Sequence, residues 1–337
     1  MREADIRPAE LLNEYLRLSA EDAEIYFGDG KGFTDRPCPG CGETASTLQF
    51  TKAGFSYVRC DLCATLYANP GPSGPALESM YRDSESATYW ANVFSPAVAE
   101  VRRDAIFKPR VEQIADLLDG LNHRLQRLCD IGVGTGLYLE EVTKHFPGTE
   151  LSGVEPSSVM AQACQKKGFH IFEGFSDQAA ESPDWASSAD LVTSFEVIEH
   201  VPDSLGFVSS LAALARPGGL VLITGLCGDG FDIKVLGARS KAVSPPHHLN
   251  FLSRDGVRRL LERAGLDEVQ FTTPGQLDVD IVRNVLLDDD DAVDDPKLRA
   301  MLLDEDEQVR KRFQARLVAE KQSSHMWIVA RRPLESA

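Results

Sequence analysis

No segment of the 337-residue chain approaches the ~18 consecutive apolar residues of a membrane-crossing helix, so no transmembrane span is expected. The opening residues, Met1-Arg2-Glu3-Ala4-Asp5, are charged and hold no apolar stretch of an export signal, which predicts a cytoplasmic, reducing setting. Positive charge is scarce: 35 Lys and Arg stand against 52 Asp and Glu, a formal net charge of −17. Proteins that grip nucleic acid draw affinity from a basic footprint, so nucleic acid is an unfavoured partner. No internal repeat is present. What the chain does have is 43% hydrophobic residues, enough for a sizeable core, and a length that suggests about two domains.

The texture changes at three places. Residues 1–33 read as two short N-terminal helices, the second opened by a capping box of Ser19 and Asp22. Residues 34–72 are short β-like pieces punctuated by Cys, Pro and Gly, and residues 73–120 a helical linker and cap, interrupted near Pro109 and stopped at Gly120. From 121 to 337 apolar runs alternate with amphipathic stretches. Strands are predicted at 127–131, 150–155, 169–172, 190–195, 219–225, 267–272 and 325–330, with helices near 137–146, 157–167, 203–215 and 254–265. That alternation argues an α/β domain with a parallel sheet. Residues 273–323 read as a helical insertion, and its stretch 288–307 holds ten acidic residues against Lys297 and Arg299, the mark of a solvated face.

Cys38-Pro-Gly-Cys41 and Cys60-Asp-Leu-Cys63 form two CxxC pairs separated by eighteen residues. Each knuckle aims two sulfurs at one point, and two knuckles make the tetrahedral S₄ shell that Zn²⁺ favours. A filled Cys₄ shell leaves no open position, so the metal is expected to be structural. Cys129, Cys164 and Cys227 fall in or beside core elements and read as small buried hydrophobes.

The stretch Leu128-Cys129-Asp130-Ile131-Gly132-Val133-Gly134-Thr135-Gly136 is a strand ending in a glycine loop that opens a helix. Its spacing is GxGxG, not the GxGxxG of dinucleotide sites. Asp130 precedes the first glycine by two residues, and Glu155 ends the next strand, where a carboxylate can take ribose hydroxyls.

With these residues the chain resembles a class I S-adenosylmethionine-dependent methyltransferase. Three further stretches match that pattern: Ser194-Phe195-Glu196-Val197-Ile198-Glu199-His200-Val201-Pro202-Asp203, as in ubiquinone-type enzymes; Arg216-Pro217-Gly218-Gly219; and Pro245-Pro246-His247-His248-Leu249-Asn250-Phe251. The resemblance covers about residues 110–272. It implies a Rossmann-like fold with a mostly parallel seven-stranded sheet. It assigns Asp130, Gly132, Gly134 and Gly136 to the methionine half of the cofactor, Glu155 to the ribose, Phe175 and Ser176 to the adenine flank, and Phe195, Glu196 and Val197 to the methionine chain. The family often has Gly-Asp at the adenine flank, where this chain has Gly174-Phe175-Ser176-Asp177. Nucleotide-sugar C-methyltransferases share an N-terminal four-cysteine element but carry a full domain after the core, where this chain has about sixty residues.

Methyl transfer from a sulfonium is an in-line displacement, and a base is needed when the nucleophile is a hydroxyl, a neutral nitrogen or an activated C–H. His248, His247 and His200 are the candidate bases, expected to titrate near neutrality. Tyr81, Tyr89 and Trp90 are candidate pocket residues. The resemblance implies a small-molecule acceptor, a nucleotide-linked sugar or surface-polysaccharide precursor. An RNA methyltransferase using the ribbon as a grip, or a non-catalytic cofactor-binding scaffold, are the rivals. The ribbon has only Lys52 and Arg59 between its first and last cysteine, too few for a phosphate track. Nothing in the sequence signals an oligomeric state.

Overall fold

The computed structural model describes residues 3–30 and 32–334. Seven strands form its central sheet: β1 (Arg127–Ile131), β2 (Glu150–Glu155), β3 (His170–Glu173), β4 (Ala189–Phe195), β5 (Ala215–Leu226), β6 (Asp267–Thr272) and β7 (His325–Arg331). Their order is β3-β2-β1-β4-β5-β7-β6, with β7 antiparallel to both neighbours and the rest parallel. Successive residues face opposite sides: Cys129, Val192, Val221 and Ile223 enter one apolar cluster, Leu128, Leu191, Leu220 and Leu222 the other. Helices cover both faces, so the strands read as unbroken apolar runs rather than alternating ones. This is the expected Rossmann-like sheet.

The four-cysteine ribbon is built into this core. Its hairpin, Ser46–Lys52 with Phe55–Cys60, pairs with Leu66–Ala68, and that strand pairs with Asn250–Phe251 from the segment beyond β5. Tyr57, Leu66, Leu249 and Phe251 share one apolar cluster.

Two local expectations fail. The helix Ala9–Phe27 runs unbroken through Ser19, because no Gly or Pro interrupts it; the break lies at Pro8. Ser19 donates its hydroxyl to the Tyr15 carbonyl one turn back, and Asp22 is buried, accepting from the backbone N–H of Ser86. The second helical stretch breaks at Ser84, not Pro109. From Glu85 to Gly120 it continues through two π-helical segments, Trp90–Phe94 and Arg103–Phe107. Pro109 directly follows the second π segment, whose wider turn changes the local hydrogen-bond register. Two short helices, Ser176–Glu181 and Phe231–Leu236, were not anticipated.

Between β6 and β7 lie helices Asp278–Asp288, Pro296–Leu303 and Glu307–Ala319. They pack Val279, Val282, Leu286, Leu302 and Leu317 against Leu236. The Asp278 carboxylate ties their base to the start of β7, accepting from Ser323 Oγ at 2.6 Å and Ser324 N at 2.6 Å.

Candidate active site

The loop after β1 needs its glycines. Gly132, Gly134 and Gly136 have φ of 79°, 56° and 78°, a region costly for other residues, and a Cβ on Gly132 would lie 2.8 Å from Val197 Cγ2. Behind the loop, buried Asp130 accepts from Thr193 Oγ1 at 2.7 Å, and burial pushes its carboxyl up to about 7. Glu155, only 6% exposed, accepts from Gly134 N at 2.8 Å and Ser157 N at 2.9 Å. Burial raises its carboxyl, an effect these two N–H groups only partly offset. At the end of β3, Phe175 is 42% exposed, whereas Ser176 is buried and accepts from Ser210 Oγ at 2.7 Å. The exposed ring is free to flank an aromatic base; the Ser176 hydroxyl is engaged inward.

Phe195 ends β4 edge-on to Tyr138, 4.7 Å between ring centroids. Glu196 follows with a positive φ of 56° and accepts from Thr224 Oγ1 at 2.6 Å and His325 Nε2 at 2.8 Å. Burial alone would raise its carboxyl, but His325 and Arg110 outweigh it and hold the group well below the carboxylate range. Arg110 was missed from sequence. It is 8% exposed, lies 4.1 Å over the Phe195 ring and 3.8 Å from Glu196, and makes no hydrogen bond among the described residues. A signal existed: Arg110 shares the apolar stripe of its helix, four and eight residues before buried Ile114 and Leu118. A guanidinium with unfilled donors beside the glycine loop suits the carboxylate of a bound amino acid. Two strand-end carboxylates, a glycine cradle and this cation fit S-adenosylmethionine.

The three histidines converge at the same carboxyl edge. His247 is 1% exposed, its Nε2 2.9 Å from Ser86 Oγ and its ring flanked by Tyr15 and Tyr81. His248 places Nδ1 2.6 Å from the Ala242 carbonyl. A carbonyl only accepts, so Nδ1 carries the proton and Nε2 keeps a lone pair. His200 stands edge-on to His248 at 4.8 Å, with Nδ1 3.0 Å from Tyr81 Oη. Glu199, buried with Oε2 unpartnered, joins them: ligand atoms of Glu199, His200 and His248 lie within 4.8 Å of one another. Burial drives all three imidazoles down, His247 to about 3, His248 to about 4 and His200 well below its usual range. The expectation of titration near neutrality is therefore corrected; these rings are neutral at pH 7.

The ribbon holds this loop. Tyr57 donates its hydroxyl to the His248 carbonyl at 2.7 Å, and Ala68 N donates to the Leu249 carbonyl at 2.9 Å. Arg36 links the Ala68, Pro202 and Leu249 carbonyls. Ser253 Oγ donates to the Cys63 carbonyl. The four sulfurs of Cys38, Cys41, Cys60 and Cys63 lie within 4.8 Å of one another, with Cys38–Cys63 and Cys41–Cys60 each at 3.5 Å. A tetrahedral zinc–thiolate shell has sulfurs about 3.8 Å apart, so the set fits zinc.

A Rossmann-like sheet whose glycine loop, flanking acids and aromatic edge converge at its carboxyl ends defines a cofactor-dependent methyltransferase. The match to known proteins agrees: a family model described as "Methyltransferase domain" fits residues 100–270, just over half of the chain, which belongs to that family and is an S-adenosylmethionine-dependent methyltransferase. It is similar to the ubiquinone biosynthesis O-methyltransferase of Vibrio parahaemolyticus, 28% identical over 176 residues, 48% of this chain and 72% of that protein. The namesake of a Bradyrhizobium strain is 30% identical over 166 residues, 48% of this chain and 58% of that one. Among solved structures, a SAM-dependent methyltransferase from Archaeoglobus fulgidus covers 68% of this chain and 94% of its own, at 16% identity and a TM-score of 0.47. No helix among the described residues is long and apolar enough to cross a membrane.

Proposed function

We propose that this chain methylates a hydroxyl of a small molecule, a nucleotide-linked sugar or surface-polysaccharide precursor, with His248 as base and His200 beside it. The observation that carries the reading is the lone pair left on His248 Nε2 by the Nδ1–Ala242 contact, at the sheet edge beside the cofactor loop. The cofactor, when bound, supplies an activated methyl group. Asp130, the glycine loop, Glu155 and Arg110 bind and orient it, with Phe195 and Val197 along its methionine chain. His248 accepts the hydroxyl proton at Nε2, and the Ala242 carbonyl keeps the ring in that tautomer. His247, fully engaged by Ser86, Tyr15 and Tyr81, positions the loop. We assign the insertion 273–323 to the side of the acceptor mouth, and zinc to the ribbon.

The two cations between the outer cysteines of the ribbon are half-buried and taken up by carbonyls: Lys52 donates to the Ser240 carbonyl and Arg59 to the Ala64 carbonyl. That supports a small acceptor over nucleic acid. A second reading rests on Glu199: its unpartnered oxygen, with His200 and His248, offers a site for a divalent cation that would polarise the acceptor oxygen. Turnover of the zinc-loaded enzyme with and without added Mg²⁺ or Mn²⁺ separates the two. Metal-independent turnover abolished by His248→Ala supports the base; turnover strictly dependent on the added ion favours the second reading.

A further inference from the structure

The two loops that carry His200 and His248 are joined along their inner side. The Glu199 carbonyl accepts from Leu249 N at 2.7 Å and Asn250 N at 3.2 Å, and Asn250 Nδ2 donates to the Ile198 and Val201 carbonyls at 3.2 and 2.7 Å. Their outer side is closed by a residue from neither loop. Arg36, between the short strand Phe33–Thr34 and Cys38, donates Nε–H to the Ala68 carbonyl at 2.8 Å. Its two terminal nitrogens donate to the Pro202 carbonyl at 3.1 Å and the Leu249 carbonyl at 3.2 Å. Pro202 lies two residues after His200, and Leu249 directly follows His248. One guanidinium thus touches the ribbon and both loops.

A half-buried cation is costly without a counter-charge, yet Arg36 forms no ion pair among the described residues. Its partners are three neutral carbonyls, which ask for direction rather than charge. A planar fork with fixed donors supplies direction; a lysine ammonium on a flexible stem does not. The fork is itself held in place. The Arg36 amide donates to Asn69 Oδ1 at 3.0 Å, and the guanidinium lies 5.6 Å from the Tyr67 ring centroid. A Cβ on Gly71 would come within 2.8 Å of Arg36 Nε. Gly71 pairs with Thr34 across the short strands, so its missing side chain leaves the space that the fork occupies. Arg36 lies outside the matched residues 100–270, so the family likeness does not account for it.

We propose that Arg36 is a positioning residue for methyl transfer. By clasping the Pro202 and Leu249 carbonyls to the ribbon, it fixes His200 and His248 at their 4.8 Å edge-on spacing, from which His248 meets the acceptor hydroxyl. This rests on the reading of His248 as base and deepens it.

The test uses full-length, zinc-loaded protein. Transfer of an isotope-labelled methyl from saturating S-adenosylmethionine into the small-molecule ultrafiltrate of a bacterial lysate, followed against dilution of the ultrafiltrate, yields a maximal rate and a half-saturating dilution. Hydrogen exchange is read across 245–251 and, for comparison, across 128–136. Arg36→Gln is expected to lower the maximal rate by roughly ten- to a hundredfold and to speed exchange across 245–251 by at least about tenfold. The half-saturating dilution, exchange across 128–136, zinc content and S-adenosylhomocysteine affinity should stay unchanged. Arg36→Lys, which keeps the charge, should fall nearly as far, and added guanidinium should restore part of the rate of Arg36→Gly. Gly71→Ala, which leaves Arg36 in place but crowds Nε, should move rate and exchange the same way by a smaller factor. Full rate in Arg36→Gln, full rate in Arg36→Lys, equal rescue by methylammonium, or a rate lost only together with zinc or S-adenosylhomocysteine affinity would overturn the positioning role. A wild-type rate undiminished by His248→Ala, with exchange across 245–251 still quickened in Arg36→Gln, would keep the clasp and overturn the reading of His248 as base instead.

Discussion

Glu155 illustrates how one side chain serves both loop and ligand. Its carboxylate already receives Gly134 N and Ser157 N, so Glu155→Ala should loosen the glycine loop as well as remove ribose contacts. S-adenosylmethionine and S-adenosylhomocysteine share that ribose, so calorimetry should find both weakened alike, by roughly ten- to a hundredfold. The histidines yield a pH prediction. His248 titrates at about 4 in the folded chain, so kcat/KM should be flat above about pH 5 and fall on a limb near 4, a limb that His248→Ala removes along with ~10²–10⁴ of the rate. Stability follows the same sign. With folded values of about 3 and 4 for His247 and His248 against about 6.5 unfolded, the unfolded chain binds more protons between those limits. Stability should thus be intact above about pH 6.5 and decline as pH falls toward 4. His247→Gln should flatten that decline by an order of 2–3 kcal/mol in urea unfolding at different pH values. At this scale Asp130, the glycines and Glu155 were legible because spacing alone puts them at strand ends. Arg110 was not, since a charged residue on an apolar stripe becomes visible as a ligand group only once Phe195 and Glu196 are seen beneath it.

At the scale of elements the ribbon is the most consequential piece. Its pairing of Tyr67 with Asn250 and the Tyr57–His248 contact join residues about 190 apart in sequence, and no local pattern announces such a partnership. With zinc assigned to the ribbon as we propose, its removal should damage acceptor turnover before cofactor binding. With a chelator, S-adenosylhomocysteine affinity should persist while turnover falls. Tyr57→Phe, which retains zinc but deletes one hydrogen bond to the loop, should lower kcat by about tenfold without changing cofactor affinity. Loss of both functions together on chelation would mean that the ribbon supports the whole fold rather than the histidine loop. The sheet strands were legible to within a few residues because burial on both faces imposes continuous apolar runs. The helix breaks were not: propensity marks Pro109 as a stop, but the preceding π segment lets the chain pass through it. Ser19 and Asp22 imitate a helix start, yet both are claimed by tertiary burial.

For the molecule as a whole, charge and architecture point the same way. A chain of net charge −17, whose two cations between the outer cysteines of the ribbon are taken up by carbonyls, suits the proposed small acceptor rather than a polymer. The family and the fold were readable from four motifs, and Tyr81, Trp90, His200 and His248 were named from sequence as candidates for the proposed acceptor site; Tyr15 was not, because only the packing of its helix sets it beside Trp90 and His247. The most direct test is transfer of an isotope-labelled methyl from S-adenosylmethionine into a bacterial lysate, split by ultrafiltration into small-molecule and macromolecular fractions and read by mass spectrometry. The account predicts label in a small-molecule product one methyl group heavier than its precursor, formed by the wild type and lost with His248→Ala. Label confined to RNA or protein, or undiminished in the His248→Ala variant, would contradict it.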